Sequence, residues 1–266
     1  MQGDTNSVLA GALAANKCGA LVGHIEAGLR SFDRSMPEEI NRIATDALSD
    51  FLFVPTDNAR KQLVKEGFGA ERVFMVGNTV VDALQRNLEV AKERSLILHR
   101  CGVVPDSYAV LTLHRPSNVD NEARLTQLMC ALASIPRELI PQILFPVHPR
   151  TRERLESSGI VIPSSVKIID ALGYLDFLAL LASSRIILTD SGGIQEEACV
   201  LRVPCVTLRD NTERPETVAV GANVLSSPDT LDRAIRRMVK HRRSWKNPFG
   251  DGQAAARILD IVMSRI

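Results

Sequence analysis

The sequence predicts an α/β protein built on two parallel sheets. Three observations carry that expectation. Short apolar runs alternate with longer amphipathic segments along 266 residues. The short runs are apolar on both sides, as strands must be when helices cover both faces of a parallel sheet. The alternation breaks once, at 95–107, where His99, Arg100, Gly102 and Pro105 interrupt it.

Candidate strands fall at 20–24, 51–54, 72–76, 108–113, 142–147, 166–169, 186–189 and 204–208. Helices are expected between them at 6–16, 38–48, 56–66, 79–92, 122–133, 175–182, 194–200 and 230–240. The first helix follows Asp4-Thr5, a usual cap sequence. Pro37, then Glu38 and Glu39, suit the first turn of the helix at 38–48, because Pro needs no N–H there and acids complement the helix dipole. Small residues at 191–193 turn the chain from strand into helix. A loop, Asn-Pro-Phe-Gly-Asp-Gly at 247–252, precedes a last helix.

Residues 1–94 therefore read as the remainder of one domain and 95–107 as a linker. Residues 95–245 read as a full domain of about five strands, and 246–266 as a closing segment expected to pack back on the first domain. Met1-Gln2 supplies a single apolar residue ahead of Gly3-Asp4-Thr5, where a buried strand needs several. The first domain is thus expected to be incomplete at its front.

A formal net charge of +1 with 24% charged residues argues against a general nucleic-acid or membrane surface. Aromatics at 4% are too few for base-stacking platforms. The five cysteines are odd in number and form no C-x-x-C pair, which fits buried thiols in a reducing compartment. No apolar run reaches membrane-spanning length and no signal pattern opens the chain, so a cytoplasmic location is expected.

Six clusters can carry chemistry, and five of them fall where a strand ends. Asp4 can serve as an acid, a base or a hydroxyl ligand, or merely cap a helix. His24, Glu26 and Arg30 lie within seven residues of one another after a buried strand. Glu38 and Arg42 are four apart and share a helix face. With Glu26 they put several carboxylates and a cation in one region, and clustered carboxylates raise one another's pKa. His114 and Arg115 end the first strand of the second domain and can meet a phosphate or a leaving group; His148 has a similar setting one strand later and a supporting part at most. Ser191, Gly192 and Gly193 form a turn whose amides can bind phosphate, with Glu197 one helical turn on. Arg214 lies in a charged loop after another strand. No metal-ligand spacing occurs, and neither G-x-G-x-x-G nor a P-loop is present.

Taken in order, these clusters resemble the non-hydrolysing UDP-N-acetylglucosamine 2-epimerases. The resemblance covers essentially the whole chain. It rests on Gly-Asp-Thr at 3–5, His-Ile-Glu-Ala-Gly-Leu-Arg at 24–30, Pro-Glu-Glu-Ile-Asn-Arg at 37–42, Gly-Asn-Thr at 77–79, Asp-Ser-Gly-Gly-Ile-Gln-Glu-Glu at 190–197, Thr-Glu-Arg-Pro-Glu at 212–216 and the closing loop. It implies two Rossmann-like domains in the glycosyltransferase-B architecture, with a UDP-sugar in the cleft. It implies interconversion of UDP-GlcNAc and UDP-ManNAc by elimination and re-addition of UDP, with no cofactor. By motif position Asp4, Glu26 and Glu38 resemble the acid/base carboxylates, and His114 the histidine near the diphosphate. Ser191, Gly192 and Gly193 resemble the phosphate turn, Glu197 the ribose ligand, Arg214 a diphosphate contact and Phe177 the residue beside uracil; Arg42 and Arg115 are further candidate substrate contacts. A homodimer and a role in polysaccharide biosynthesis go with the family. Two departures stand out. Ser117 occupies a place where the family often carries Glu, and the stretch before Gly-Asp-Thr, with an N-terminal substrate arginine, is missing. The alternatives are a glycosyltransferase of the same architecture and an inactive remnant that keeps part of the UDP-sugar site.

Overall fold

A computed structural model describes residues 1–147 and 149–265, and His148 lies outside the described residues. The chain divides into two compact units, one of residues 1–85 with 247–266 and one of residues 86–246.

The first unit alternates α1 (Asn6–Lys17), β1 (Gly23–Ile25), α2 (Pro37–Leu48), β2 (Phe51–Val54), α3 (Asp57–Lys65) and β3 (Val73–Met75) before α4 (Thr79–Arg94), inside which the division falls. Its three strands are parallel in the order β1-β2-β3. The segment before Asp4 runs beside β1: Gln2 forms a parallel bridge with Ile25, and the Ile25 amide donates to the Met1 carbonyl at 2.8 Å. Leu52, Val54, Ala59 and Leu63 form a core with Ala27 and Leu29, so the loop after β1 is itself packed. The closing helix, Ala254–Met263, lays Ile258 against Phe53 and Val76.

Two of the sequence motifs meet in this unit. Phe249, fully buried, accepts the Asn78 amide at its carbonyl at 2.8 Å, and a Cβ on Gly77 would lie 3.1 Å from the same oxygen. The closing loop therefore docks on Gly77-Asn78-Thr79. Gly28 is held more tightly. Its φ is +78°, and a Cβ there would stand 2.5 Å from the Ala59 carbonyl and 2.9 Å from Leu63 Cγ. A Gly28→Ala substitution combines left-handed strain with overpacking, and is expected to cost about 3 kcal/mol. Urea unfolding at constant m-value measures it; a loss below about 1 kcal/mol would refute the packing argument.

The second unit continues through α5 (Ile97–Cys101), β4 (Tyr108–Thr112), α6 (Pro116–Val119), α7 (Glu122–Ala133), β5 (Gln142–Val147), α8 (Pro149–Ser157), β6 (Val166–Asp170), α9 (Tyr174–Ala182), β7 (Ile186–Thr189), α10 (Gly192–Val200), β8 (Cys205–Thr207), α11 (Pro215–Ala219), β9 (Asn223–Leu225) and α12 (Leu231–Val239). Its six strands are all parallel, in the order β6-β5-β4-β7-β8-β9. The chain winds outward from β4 to β6, then returns beside β4 and winds the other way. This is the doubly wound Rossmann order, and its reversal lies between β4 and β7. The fold class is thus α/β with two parallel sheets. The second sheet has six strands where about five were expected, because β9 is too short to show periodicity.

Residues 95–107 are not a bare linker. Ser95 Oγ donates to Asp176 at 2.5 Å, and Ile97 and Cys101 on α5 are buried beside Tyr108 and Leu180. All five cysteines are free: Cys101, Cys199 and Cys205 are buried, while Cys18 and Cys130 are exposed. Among the described residues no helix is long and apolar enough to cross a membrane.

Candidate functional site

In the first unit Asp4 precedes α1, Glu26 follows β1 and Glu38 lies in the first turn of α2, and their settings differ. Thr5, rather than Asp4, caps α1, accepting the Val8 amide at its side chain. That leaves the Asp4 carboxylate free of the capping duty. It meets Arg42 instead, with Nη2 at 2.9 Å and Nε at 3.0 Å, while the Asn41 amide holds the Asp4 carbonyl at 2.9 Å. Glu26 sits at φ +73°, a left-handed conformation that a residue with a Cβ rarely adopts. Such strain persists only where the surroundings enforce it, and it collects at functional sites. Gln2 Nε2 reaches Glu26 Oε1 at 3.4 Å and Thr79 Oγ1 at 3.1 Å.

Glu38 and Glu39 separate by what they touch. Glu39 is 2% exposed and accepts from the Ser31 and Phe32 amides, the Ser31 hydroxyl and Arg42. Glu38 is half-buried and accepts no hydrogen bond from another described residue. Spacing puts Glu38 and Arg42 on one helix face, yet Arg42 pairs with Glu39 at i,i+3, which lies in the buried layer with it. Arg42 is 4% exposed, with its guanidinium taken up by Asp4 and Glu39. His24, fully buried, bonds Asp46 and the Gly3 carbonyl through its two ring nitrogens.

In the second unit the sheet order builds the site. Thr112 on β4 pairs in register with Thr189 on β7, their hydroxyls 2.6 Å apart. The residues that follow each strand are therefore neighbours at the topological reversal. Asp190, fully buried, accepts His114 Nδ1 at 2.7 Å, the His114 amide at 3.1 Å, the Arg115 amide at 3.0 Å and Asn118 Nδ2 at 3.1 Å. Burial alone would raise the Asp190 pKa. The His114 hydrogen bond and charge, with the Arg115 amide and Asn118, outweigh burial and hold it below the ordinary carboxylate range. An ionised Asp190 requires the proton on His114 Nδ1, which leaves Nε2 to face outward on a side chain 54% exposed. In the sequence Asp190 stands only as part of the turn; its partners appear once β4 and β7 are adjacent.

Ser191 caps α10, and Gly192 and Gly193 form its first turn. Gln195, fully buried, ties this turn to the charged loop: Nε2 donates to the Ser191 carbonyl at 3.1 Å and Oε1 accepts the Thr212 hydroxyl at 2.6 Å. Buried Glu213 gathers Arg115 at 3.3 Å and Arg209 at 2.8 Å, and its carboxylate lies 3.5 Å from where a Gly192 Cβ would stand. Arg115 Nε is buried and makes no hydrogen bond. Arg214 pairs with Glu196 of α10. Burial pushes the Glu197 pKa up to about 7, against a hydrogen bond from Tyr174 that lowers it. Phe177, one turn into α9, is partly buried against the core that contains Leu180 and Ile187.

The family model described as UDP-N-acetylglucosamine 2-epimerase matches residues 1–263. A protein of that name from Methanococcus maripaludis is 48% identical over 270 residues, which cover 98% of this chain and 74% of that one. The solved structure of the Methanocaldococcus jannaschii UDP-GlcNAc 2-epimerase, in complex with UDP-GlcNAc and UDP, is 49% identical with a TM-score of 0.88, over 99% of this chain and 74% of that chain. A Pseudomonas aeruginosa UDP-2,3-diacetamido-2,3-dideoxy-D-glucuronate 2-epimerase is 43% identical over 263 residues, 97% of this chain and 72% of that one.

Proposed function

Because the chain belongs to the UDP-N-acetylglucosamine 2-epimerase family, we infer that it is an isomerase that interconverts UDP-GlcNAc and UDP-ManNAc. The observation that carries this reading is the match over residues 1–263, which takes in every carboxylate and phosphate-turn motif. Neither a glycosyltransferase nor an inactive remnant has comparable support.

In this reaction a base takes the C2 proton and the C1–O bond to UDP breaks, the bonding pair leaving with UDP. The C1=C2 intermediate then receives UDP back at C1 and a proton on the opposite face of C2. Protons and electrons balance without an oxidant. We assign the proton transfers to Asp4, Glu26 and Glu38 in the first unit. We assign UDP to the second unit. There, the amides at Ser191, Gly192 and Gly193 and the unpartnered Arg115 Nε would meet the phosphates, His114, when it carries a second proton on Nε2, would donate that proton to the departing oxygen, and Phe177 would lie beside uracil. Arg214 would support the phosphate contacts from its pair with Glu196. The family reading also carries a cytoplasmic homodimer.

Incubation of UDP-GlcNAc with the chain in deuterated water is expected to place deuterium at C2. Parallel incubation with the diacetamido-glucuronate nucleotide separates the two substrate classes seen among the relatives. No exchange with either substrate would refute the reading.

Glu197 gives a pH dependence of known sign. Ribose hydroxyls donate hydrogen bonds, so they favour the ionised carboxylate, whose population rises as pH passes about 7. UDP-GlcNAc affinity is expected to rise about tenfold from pH 6 to 8, and Glu197→Gln to flatten the curve. Titration calorimetry across that range checks it; an unchanged slope in the variant would remove Glu197 from the ribose. Folding responds oppositely. The stability from the neutral carboxyl is full below its ordinary value of 4.5 and is lost as pH rises through about 7.

A further inference from the structure

Beneath the first unit's carboxylates lies an ionic group that the proposed chemistry does not use. His24 and Asp46 are fully buried, and the Arg30 side chain is 2% exposed. Taking such groups from water costs several kcal/mol per ion, and apolar residues of similar volume would pack there at less cost. Their geometry is specific. His24 Nδ1 lies 2.6 Å from Asp46 Oδ1, and Nε2 lies 2.9 Å from the Gly3 carbonyl. Asp46 Oδ2 accepts from Arg30 Nη2 at 2.7 Å and from the Gly28 amide at 3.2 Å. Arg30 is held from its far side by Glu66, through Nε at 2.9 Å and Nη2 at 2.6 Å.

Donor and acceptor roles follow. A carbonyl only accepts, so Nε2 must donate to Gly3. Nδ1 faces the Asp46 carboxylate, whose other oxygen Arg30 and the Gly28 amide hold in place. Each member of the group thus has its partner inside it.

Its contact points bracket the reacting residues. Gly3 precedes Asp4 and holds φ +83°, while His24 and Gly28 flank Glu26 at φ +73°. Asp46 belongs to α2, which also supplies Asn41 and Arg42 to Asp4 and carries Glu38 in its first turn. We propose that His24, locked between Asp46 and the Gly3 carbonyl, is a positioning residue that fixes Asp4 and Glu26 at their working separation. This rests on the assignment of those two carboxylates above. His24 touches no substrate; it sets the turn from which Asp4 projects and the strand end from which Glu26 projects. A misplacement of about 1 Å at reacting groups costs on the order of a hundredfold in rate.

The test has one arm independent of catalysis. In the wild-type 266-residue chain, NMR is expected to show a His24 Nε2–H that is hydrogen-bonded and exchanges slowly with water. An Nε2 without that slowly exchanging proton overturns the proposal, whether or not the chain turns over substrate. The kinetic arm compares His24→Asn and Asp46→Asn with wild type on UDP-GlcNAc, below their melting temperatures. The expected result is a fall in kcat of about a hundredfold, with the Kd for UDP, whose contacts lie in the other unit, within about twofold. A variant that melts earlier but keeps wild-type kcat reduces His24 to a stability element and overturns the proposal. Should both variants fail to fold, the amide ¹H–¹⁵N shifts of Asp4 and Glu26 in wild type and in Arg30→Lys, which keeps a cation beside Asp46 but loses the guanidinium's span to Glu66, decide. Unmoved Asp4 and Glu26 shifts then count against the proposal. Absence of C2 exchange in wild type refutes the functional reading instead, and leaves the NMR arm standing.

Discussion

Replacing Glu38 by Gln is expected to lower turnover by about 10²- to 10⁴-fold, the usual contribution of one positioned acid or base, while leaving stability within about 0.5 kcal/mol. Replacing its neighbour Glu39 by Gln should do the reverse. Glu39 accepts from two amides, a hydroxyl and Arg42 in a setting 2% exposed. A glutamine there presents an NH₂ to a donor and leaves Arg42 buried with half its countercharge. Breaking a buried pair in this way costs about 3–5 kcal/mol, or roughly 10 °C of melting temperature for a chain of this size. Glu38 makes no such contacts, so its loss removes only a few tenths of a kcal/mol, about the size of its interaction with the α2 dipole. The two residues are adjacent and chemically identical, and only their surroundings separate them. Thermal unfolding with C2-deuterium exchange measures both effects on the same samples. Wild-type exchange in Glu38→Gln would remove Glu38 from the chemistry; a stable Glu39→Gln would show that the Ser31–Phe32 turn is not anchored by that carboxylate.

What was legible in the sequence follows the range of the interaction that fixes it. Strands Phe51–Val54, Gln142–Val147 and Ile186–Thr189 and helix Glu122–Ala133 have the bounds the apolar pattern gave, because burial on both faces writes itself into consecutive residues. The first strand was expected at 20–24 and begins only at Gly23, since Leu21 is 58% exposed and Val22 still belongs to the approach. Strand Asn223–Leu225 went unseen, as three residues after a left-handed Gly221 carry no period. Helix Ile97–Cys101 was hidden by the polar and glycine residues around it, though Ile97 and Cys101 pack inward. In the site the limit is sharper. Sequence spacing puts Glu38 on the helix face of Arg42, and the i,i+4 rule is sound for an isolated helix. Arg42 is instead drawn inward by Asp4, which is 38 residues away in sequence. Contacts of that range depend on which strands lie side by side, and no local pattern reports them.

The same argument makes Asp190→Asn the most informative change in the second unit. Asp190 receives four donors because β4 and β7 end together: two amides, Asn118 and His114 Nδ1. An asparagine keeps the volume but turns one acceptor into an NH₂, which must face one of those donors. His114 then loses the carboxylate that keeps its proton on Nδ1, and Nε2 no longer has a fixed state from which to serve the leaving oxygen. Turnover is expected to fall about 10³-fold. If His114 acts only through this pair, His114→Asn combined with Asp190→Asn should cost no more than the worse single change, as for any residues that work as one unit. Stability supplies a second readout of known sign. Asp190 is held below the ordinary carboxylate value of 3.8, against the upward push of burial, by His114, Arg115 and Asn118. Its ionised form therefore contributes stability that is full above 3.8 and lost as pH falls through the lowered folded value. Urea unfolding from pH 3 to 7 should show that acid limb in wild type and a shallower one in Asp190→Asn. Additive losses in the double variant would mean that His114 and Asp190 act separately, and that the hydrogen bond between them only packs the sheet end.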